Sequence, residues 1–174
     1  MAMSLTPSET APSQDPFFSI VADSFLFSKF NTRKEYKEYL SSLELSDYMG
    51  RFCYVAHANH IVVDYSVFNA RIKKMDTNVG NMFIGYMIRV FQQVLENYPL
   101  MTVHVNLDSF QLLHVDRHYE FFWTMSSTFQ STFPNSKLET CFIYNVPVLF
   151  SALLTCLTSF VDKDTKSKLR QVPR

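Results

Sequence analysis

Residues 140–161 read TCFIYNVPVLFSALLTCLTSFV and carry no charged side chain. The stretch begins inside residues 138–145, whose Leu138, Cys141, Phe142, Ile143 and Tyr144 have the apolar and aromatic content of a strand. Pro147 stands where the first turn of a helix tolerates a missing N–H, and residues 148–161 continue as helix. The polar positions of that helix are Ser151, Thr155, Thr158 and Ser159, spaced i, i+4, i+7 and i+8. They form a narrow stripe of hydroxyls on an otherwise apolar cylinder, and such hydroxyls can bond back to the i−4 carbonyl. A surface helix in water normally shows a charged face. Two readings follow: the helix is buried all round or covered by a partner, or its outer side meets a lipid-like ligand or a membrane. Charge returns after it in Lys163, Lys166, Lys168, Arg170 and Arg174, against Asp162 and Asp164. A basic cluster there suits an anionic membrane, and it equally complements a helix C-terminus.

Working back along the chain, helix and strand alternate. Residues 117–132 read as a helix ended by Phe133-Pro134. Residues 101–107 read as a central strand, Val103 and Val105 alternating with His104 and Asn106. Residues 78–97 make a long helix with Met82, Phe83, Tyr86, Met87, Val90, Phe91, Val94 and Leu95 on a wide apolar face. Residues 66–76 fit a helix or a loop. Residues 52–56 and 61–65 read as short strands, and Asp47-Tyr48-Met49-Gly50 as a turn. Tyr36, Tyr39, Leu40 and Leu43 give one helical stripe, capped by Asn31 or Thr32, with Lys34, Glu35, Lys37 and Glu38 on its wet side. The aromatic residues 17–30 suggest one further short helix. The alternation from residue 78 onward predicts an α/β domain with a substantially parallel sheet.

Composition narrows the function. Of 174 residues, 47% are hydrophobic and 18% charged, which excludes a disordered chain as a whole. Lys+Arg and Asp+Glu are 16 each, so there is no global basic field for nucleic acid. With 3 Gly no glycine-rich phosphate cradle can be written. The 17 Phe and 9 Tyr supply much bulky apolar surface. Cys53, Cys141 and Cys156 form no C-x-x-C pair and read as reduced thiols. Residues 1–16, rich in Ser, Thr and Pro without Lys or Arg, read as a disordered tail rather than a secretory signal; residues 17–174 read as a single domain. No apolar run reaches the roughly 18 residues of a membrane span, so none is expected. The reduced thiols suggest a cytoplasmic chain, and the uncharged helix with its basic cluster a peripheral membrane contact.

Three short segments now bring a family into view. Phe133-Pro134-Asn135, the run from Phe142 to Phe150 (FIYNVPVLF), and the run from Phe160 to Leu169 (FVDKDTKSKL) resemble the C-terminal half of a CRAL-TRIO lipid-binding domain. That is the domain of phosphatidylinositol-transfer, tocopherol-carrier and retinaldehyde-carrier proteins, with its Y-P-E, I-I-N-A-P-x-x-F and L-x-x-x-T-x-x-K-I segments. Asp47-x-x-Gly50-Arg51 resembles the family's entry to its first strand, and Val103 to Asp108 its central strand. The resemblance implies a mixed, largely parallel sheet with helices packed on it, flooring a hydrophobic pocket closed by a helical gate, residues 148–160. It implies non-enzymatic binding and transfer of a phospholipid or other hydrophobic ligand, exchanged at a transient membrane contact, without cofactor or metal. The expected pocket residues are Phe129, Phe133, Tyr144, Val148, Phe150, Leu154, Leu157 and Phe160, with Thr165 and Lys168 as phosphate contacts. The departures are Asn135 for the family's Glu, Val146 within N-A-P, Phe52 for a Pro, a short helical N-terminal part, and an end at Arg174. They raise the expectation that a second copy or a partner protein completes the C-terminal edge.

Other readings remain. One is a domain of the same fold that serves as an interaction module, for a small GTPase or a scaffold, without lipid exchange. His114-x-Asp116-x-His118 can be written as a metal cluster, but as a loop entering a helix it does not place three ligands together. Asp108 with His104 can be written as an acid–base pair, though an Asp at a strand end more simply caps a turn. Phe122, Trp123, Met125 and Phe129 have the spacing of a core face. No nucleophile elbow or paired carboxylates argue for an enzyme.

Overall fold

Thr32 starts the first helix as its sequence predicts. Its Oγ1 accepts from the Glu35 N–H at 3.2 Å, and α1, Arg33–Ser42, buries Tyr36 and Leu40. Lys34, Glu35, Lys37 and Glu38 are exposed as expected. The computed structural model describes residues 29–71, 77–133, 137–146 and 162–172, together with Val21, Ser24 and Phe25. The expected tail, residues 1–16, lies outside the described residues, as does most of the expected helix 17–30.

The next element departs from the sequence reading. Residues 47–50 are no turn but part of α2, Leu45–Phe52, which buries Tyr48, Met49 and Phe52. Three large side chains on one helix face outweigh the roughly 1 kcal/mol that a mid-helix glycine costs. Gly50 faces the Tyr86 hydroxyl, which an added Cβ would meet at 3.6 Å.

β1, Cys53–His57, turns through Ala58-Asn59 into β2, His60–Asp64, and the two pair antiparallel with Tyr54 opposite Val62. Ala58 takes a positive φ of 49° to make that turn. α3, Tyr65–Arg71, resolves part of the ambiguous stretch as helix; residues 72–76 are outside the described set. α4, Thr77–Asn97, is the long helix expected and buries Phe83, Ile84, Met87, Val90, Phe91 and Val94. β3, Met101–Asn106, lies parallel to β2 and to β4, Leu138–Tyr144. Between them come α5, Leu112–Arg117, where a loop was expected, and α6, Tyr119–Thr132. The tail adds an unexpected pair: α7, Lys163–Ser167, and β5, Leu169–Gln171, which pairs parallel to β4.

The five strands stand in chain order, β1-β2-β3-β4-β5, mixed and mostly parallel. Alternation along them separates two faces. Cys53, Ile61, Val103, Cys141, Ile143 and Leu169 share one apolar cluster with the buried residues of α2, α3, α4 and α6. Val62 and Tyr144 turn to the other face, where Val21 and Phe25 cover them. Tyr54 fastens that cover by donating to the Ser24 carbonyl at 3.0 Å. Among the described residues, no helix is long and apolar enough to cross a membrane.

Candidate functional site

α6 shows an unusual burial pattern. Its sequence YEFFWTMSSTFQST holds one charge, Glu120, and only Phe121 is buried. Phe122, Met125, Phe129 and, just past the helix, Phe133 are half-buried; at steps of three, four and four they lie on one face. Phe121 stacks on Phe68 of α3 with ring centroids 5.4 Å apart. Phe129 meets Phe91 of α4 at 5.0 Å and Phe133 at 6.0 Å. Two of the expected pocket residues, Phe129 and Phe133, are therefore neighbours against α4.

Tyr144 is not with them. It lies on the opposite face of the sheet, edge-on to Phe25 at 5.0 Å. Strand alternation groups Tyr144 with Phe142 and Ile143 with Cys141, and it is the Ile143 side that the helices cover. Val148, Phe150, Leu154, Leu157 and Phe160, and with them the expected gate, lie outside the described residues. Thr165 and Lys168 belong to α7 and its exit. The Thr165 N–H is capped by Asp162 Oδ1 at 2.7 Å, and Lys168 Nζ pairs with Asp164 Oδ2 at 3.1 Å.

Sequence reasoning missed two buried polar groups. The first is a chain on the Tyr144 face. His60 Nδ1 and His104 Nε2 share a hydrogen bond of 2.8 Å, and His104 Nδ1 and the Tyr144 hydroxyl one of 2.7 Å. Burial, then the neighbouring His60, push His104 down to about 3, so it is neutral at pH 7. The second gathers at the carboxyl ends of the parallel strands, around Asp64. Its Oδ1 accepts from the Ser66 N–H at 3.0 Å, the Ser66 hydroxyl at 2.6 Å and Asn106 Nδ2 at 3.1 Å. Asn106 Oδ1 in turn accepts from Asn145 Nδ2 at 2.9 Å, at a residue with φ of 55°. Among the described residues Asp64 Oδ2 has no hydrogen-bond partner, and burial pushes the carboxyl up to about 6 against the pull of the Ser66, Val67 and Asn106 donors. A sequence signal existed: Asp64 and Asn106 are the last residues of adjacent parallel strands, in register.

The other sequence candidates resolve differently. Asp108 pairs with Arg33 at 3.3 Å, and Ser109 beside it accepts from the same guanidinium. His104 is held between His60 and Tyr144, so the written acid–base pair is not assembled. His114 Nδ1 is engaged by the Tyr65 hydroxyl at 2.7 Å and by the Gln111 N–H at 3.3 Å. Its ring stands 6.4 Å from that of His118. Among the described residues no three His, Cys, Asp or Glu gather as metal ligands. Burial pushes the Cys53 thiol up, and Cys141 to about 12, which leaves little thiolate for nucleophilic work.

A mixed sheet with crossover helices on one face and a half-covered aromatic stripe among them defines an α/β domain. The family model described as CRAL/TRIO domain matches residues 36–173, and the chain belongs to that family. Domains of this family bind small lipophilic ligands and are generally binding or transfer modules rather than enzymes. A search among curated proteins finds no match to the chain.

Proposed function

We propose that the chain binds a lipophilic ligand between the α4–α6 layer and residues 148–160, and that those residues open as a gate for exchange at a cytoplasmic membrane surface. The observation that carries this reading is α6. A stripe of three phenylalanines and a methionine, half-covered by the described chain, is the kind of apolar wall a ligand pocket uses.

Topology supports the same side. The connections from β2 to β3 and from β3 to β4 step one way across the sheet and carry their helices on the Ile143 face. The connection from β4 to β5 is a third parallel step in that direction, and a crossover of the same hand belongs on that face. A segment with no charge loses little by moving into lipid. Tyr144, on the opposite face, is left out of the proposed wall. Thr165 and Lys168 enter the proposal as phosphate contacts only for a headgroup able to displace Asp164 from the lysine.

The test is native mass spectrometry of protein purified from a lipid-rich host, with solvent extraction of what it carries. The expected result is a co-purifying lipid that survives desalting. Ligand-free protein throughout overturns the reading.

A further inference from the structure

His118 closes the N-terminal end of α6. It is only 4% exposed, yet among the described residues its Nδ1 has no hydrogen-bond partner. It occupies the N-cap position, where a polar side chain usually accepts a backbone N–H, and it accepts none. Its described neighbours offer no substitute. Phe68 presents its ring at 6.0 Å, nearly perpendicular, and His114 has already committed its Nδ1 to Tyr65 and Gln111. An unpaired buried ring nitrogen is a standing cost, and native proteins keep such groups where something outside the fold satisfies them.

What continues from His118 gives the orphan atom a context. The Phe122 N–H donates to the His118 carbonyl at 3.1 Å, so the helical spacing already holds there. The next residues on the same face are Phe122, Met125, Phe129 and Phe133, all half-buried. At 1.5 Å per residue the stripe from His118 to Phe133 is about 22 Å long. One unpaired acceptor stands at one end; the stripe side chains beyond it are carbon and sulfur, and a half-buried hydroxyl on their margin, Ser126, already accepts from Gln130 Nε2 at 3.3 Å. That arrangement matches a single-chain amphiphile with a small head and a long tail.

We propose that His118 Nδ1 is the polar anchor of the ligand site, accepting a hydrogen bond from the hydroxyl of a long-chain alcohol whose tail lies along Phe122, Met125, Phe129 and Phe133. This deepens the lipid-binding reading and rests on it. Burial, and then the charge of Arg117, hold His118 below the ordinary histidine range, so the ring is neutral and Nδ1 can accept. A neutral acceptor prefers an O–H head to an ether or ester head that cannot donate.

The experiment titrates the full chain with two fluorescent probes, 12-(1-pyrenyl)dodecanol and its methyl ether. The expected result is about tenfold tighter binding of the alcohol. His118→Phe keeps a ring and removes the acceptor; it should bring the ratio to one by weakening the alcohol alone, without lowering the melting temperature. His118→Gln, which keeps an acceptor, should restore part of the preference. Equal binding of both probes to the unaltered protein overturns the anchor while leaving lipid binding intact, and needs no variant. A preference retained in His118→Phe overturns it as well. Binding of neither probe overturns the anchor and the lipid reading together.

Discussion

Two pairs of histidines lie on opposite sides of the sheet, and they are buried in different ways. His60 and His104 sit on the Tyr144 face in a chain whose ring nitrogens bond to one another and to a phenol. His114 and His118 sit at the α5–α6 junction, where one ring is bonded and the other keeps an unpaired nitrogen. The first pair is finished by the fold itself, so its work is structural. The second keeps a nitrogen that the described residues leave unpaired, and that is where the proposed ligand anchor stands. Burial alone did not separate them, since all four are buried. Hydrogen-bond accounting did.

The sharpest way to break that contrast is acid. His104 has a native value lowered from 6.5 to about 3, so between those limits the unfolded chain takes up a proton that the native state refuses. Its contribution is therefore complete above pH 6.5 and is lost as pH falls, by about 3 kcal/mol at pH 4. Urea unfolding of the native protein and of His104→Phe at pH 7 and pH 4 measures this. The variant should lack that part of the acid loss, and equal slopes would refute a structural His104.

Asp64 acts in the opposite sense and somewhat more weakly. Its native value is raised from 3.8 to about 6, so the folded state holds the extra proton in that window. It contributes increasing stability as pH falls from about 6 toward 4, to the extent of roughly 2–3 kcal/mol. Asp64→Asn should be the more stable protein at pH 7, and its stability should fall more steeply below pH 6. A parallel pH profile for variant and parent counts against a buried, half-bonded carboxylate.

The smallest effect belongs to Lys168. Its pair with Asp164 is a partly exposed i, i+4 contact, worth about 0.5 kcal/mol or less. Lys168→Ala should barely shift the urea midpoint and should leave the pyrenyl-alcohol titration unchanged. If the alcohol's binding drops severalfold instead, the polar end of the ligand lies at α7 and not at His118.

Much of the fold was legible because it is periodic. The helical repeat of Phe83, Met87, Val90 and Val94 announces α4, and the alternation of Val103 and Val105 announces β3. α2 was misread because Asp-Tyr-Met-Gly has the chemistry of a turn, while the burial of Tyr48, Met49 and Phe52 that overrides it depends on α3 and α4. β5 was invisible because three residues, Leu169–Gln171, are too few for a period; only pairing with β4 makes them a strand. The candidate site divides in the same way. Phe129 and Phe133 entered through the family resemblance, and the four-residue step between them puts both against Phe91. Tyr144 entered with them through the resemblance, and alternation tells which residues share a face, not which face the crossovers cover. The unpaired nitrogen of His118 has no sequence signature at all, since an unmade bond exists only once every neighbour is in place.

Strand order that copies chain order has a consequence for how the molecule is made and how it loosens. A sheet laid down lane by lane can grow outward from the β1–β2 hairpin as the polypeptide emerges, with no earlier lane waiting for a later one to be inserted beside it. Among the described strands β5 is the shortest, held by the registers of Cys141, Ile143 and the residue between them. Fraying of this short lane leaves the β2–β3–β4 centre standing, so among the described strands β5 is where the sheet opens most readily.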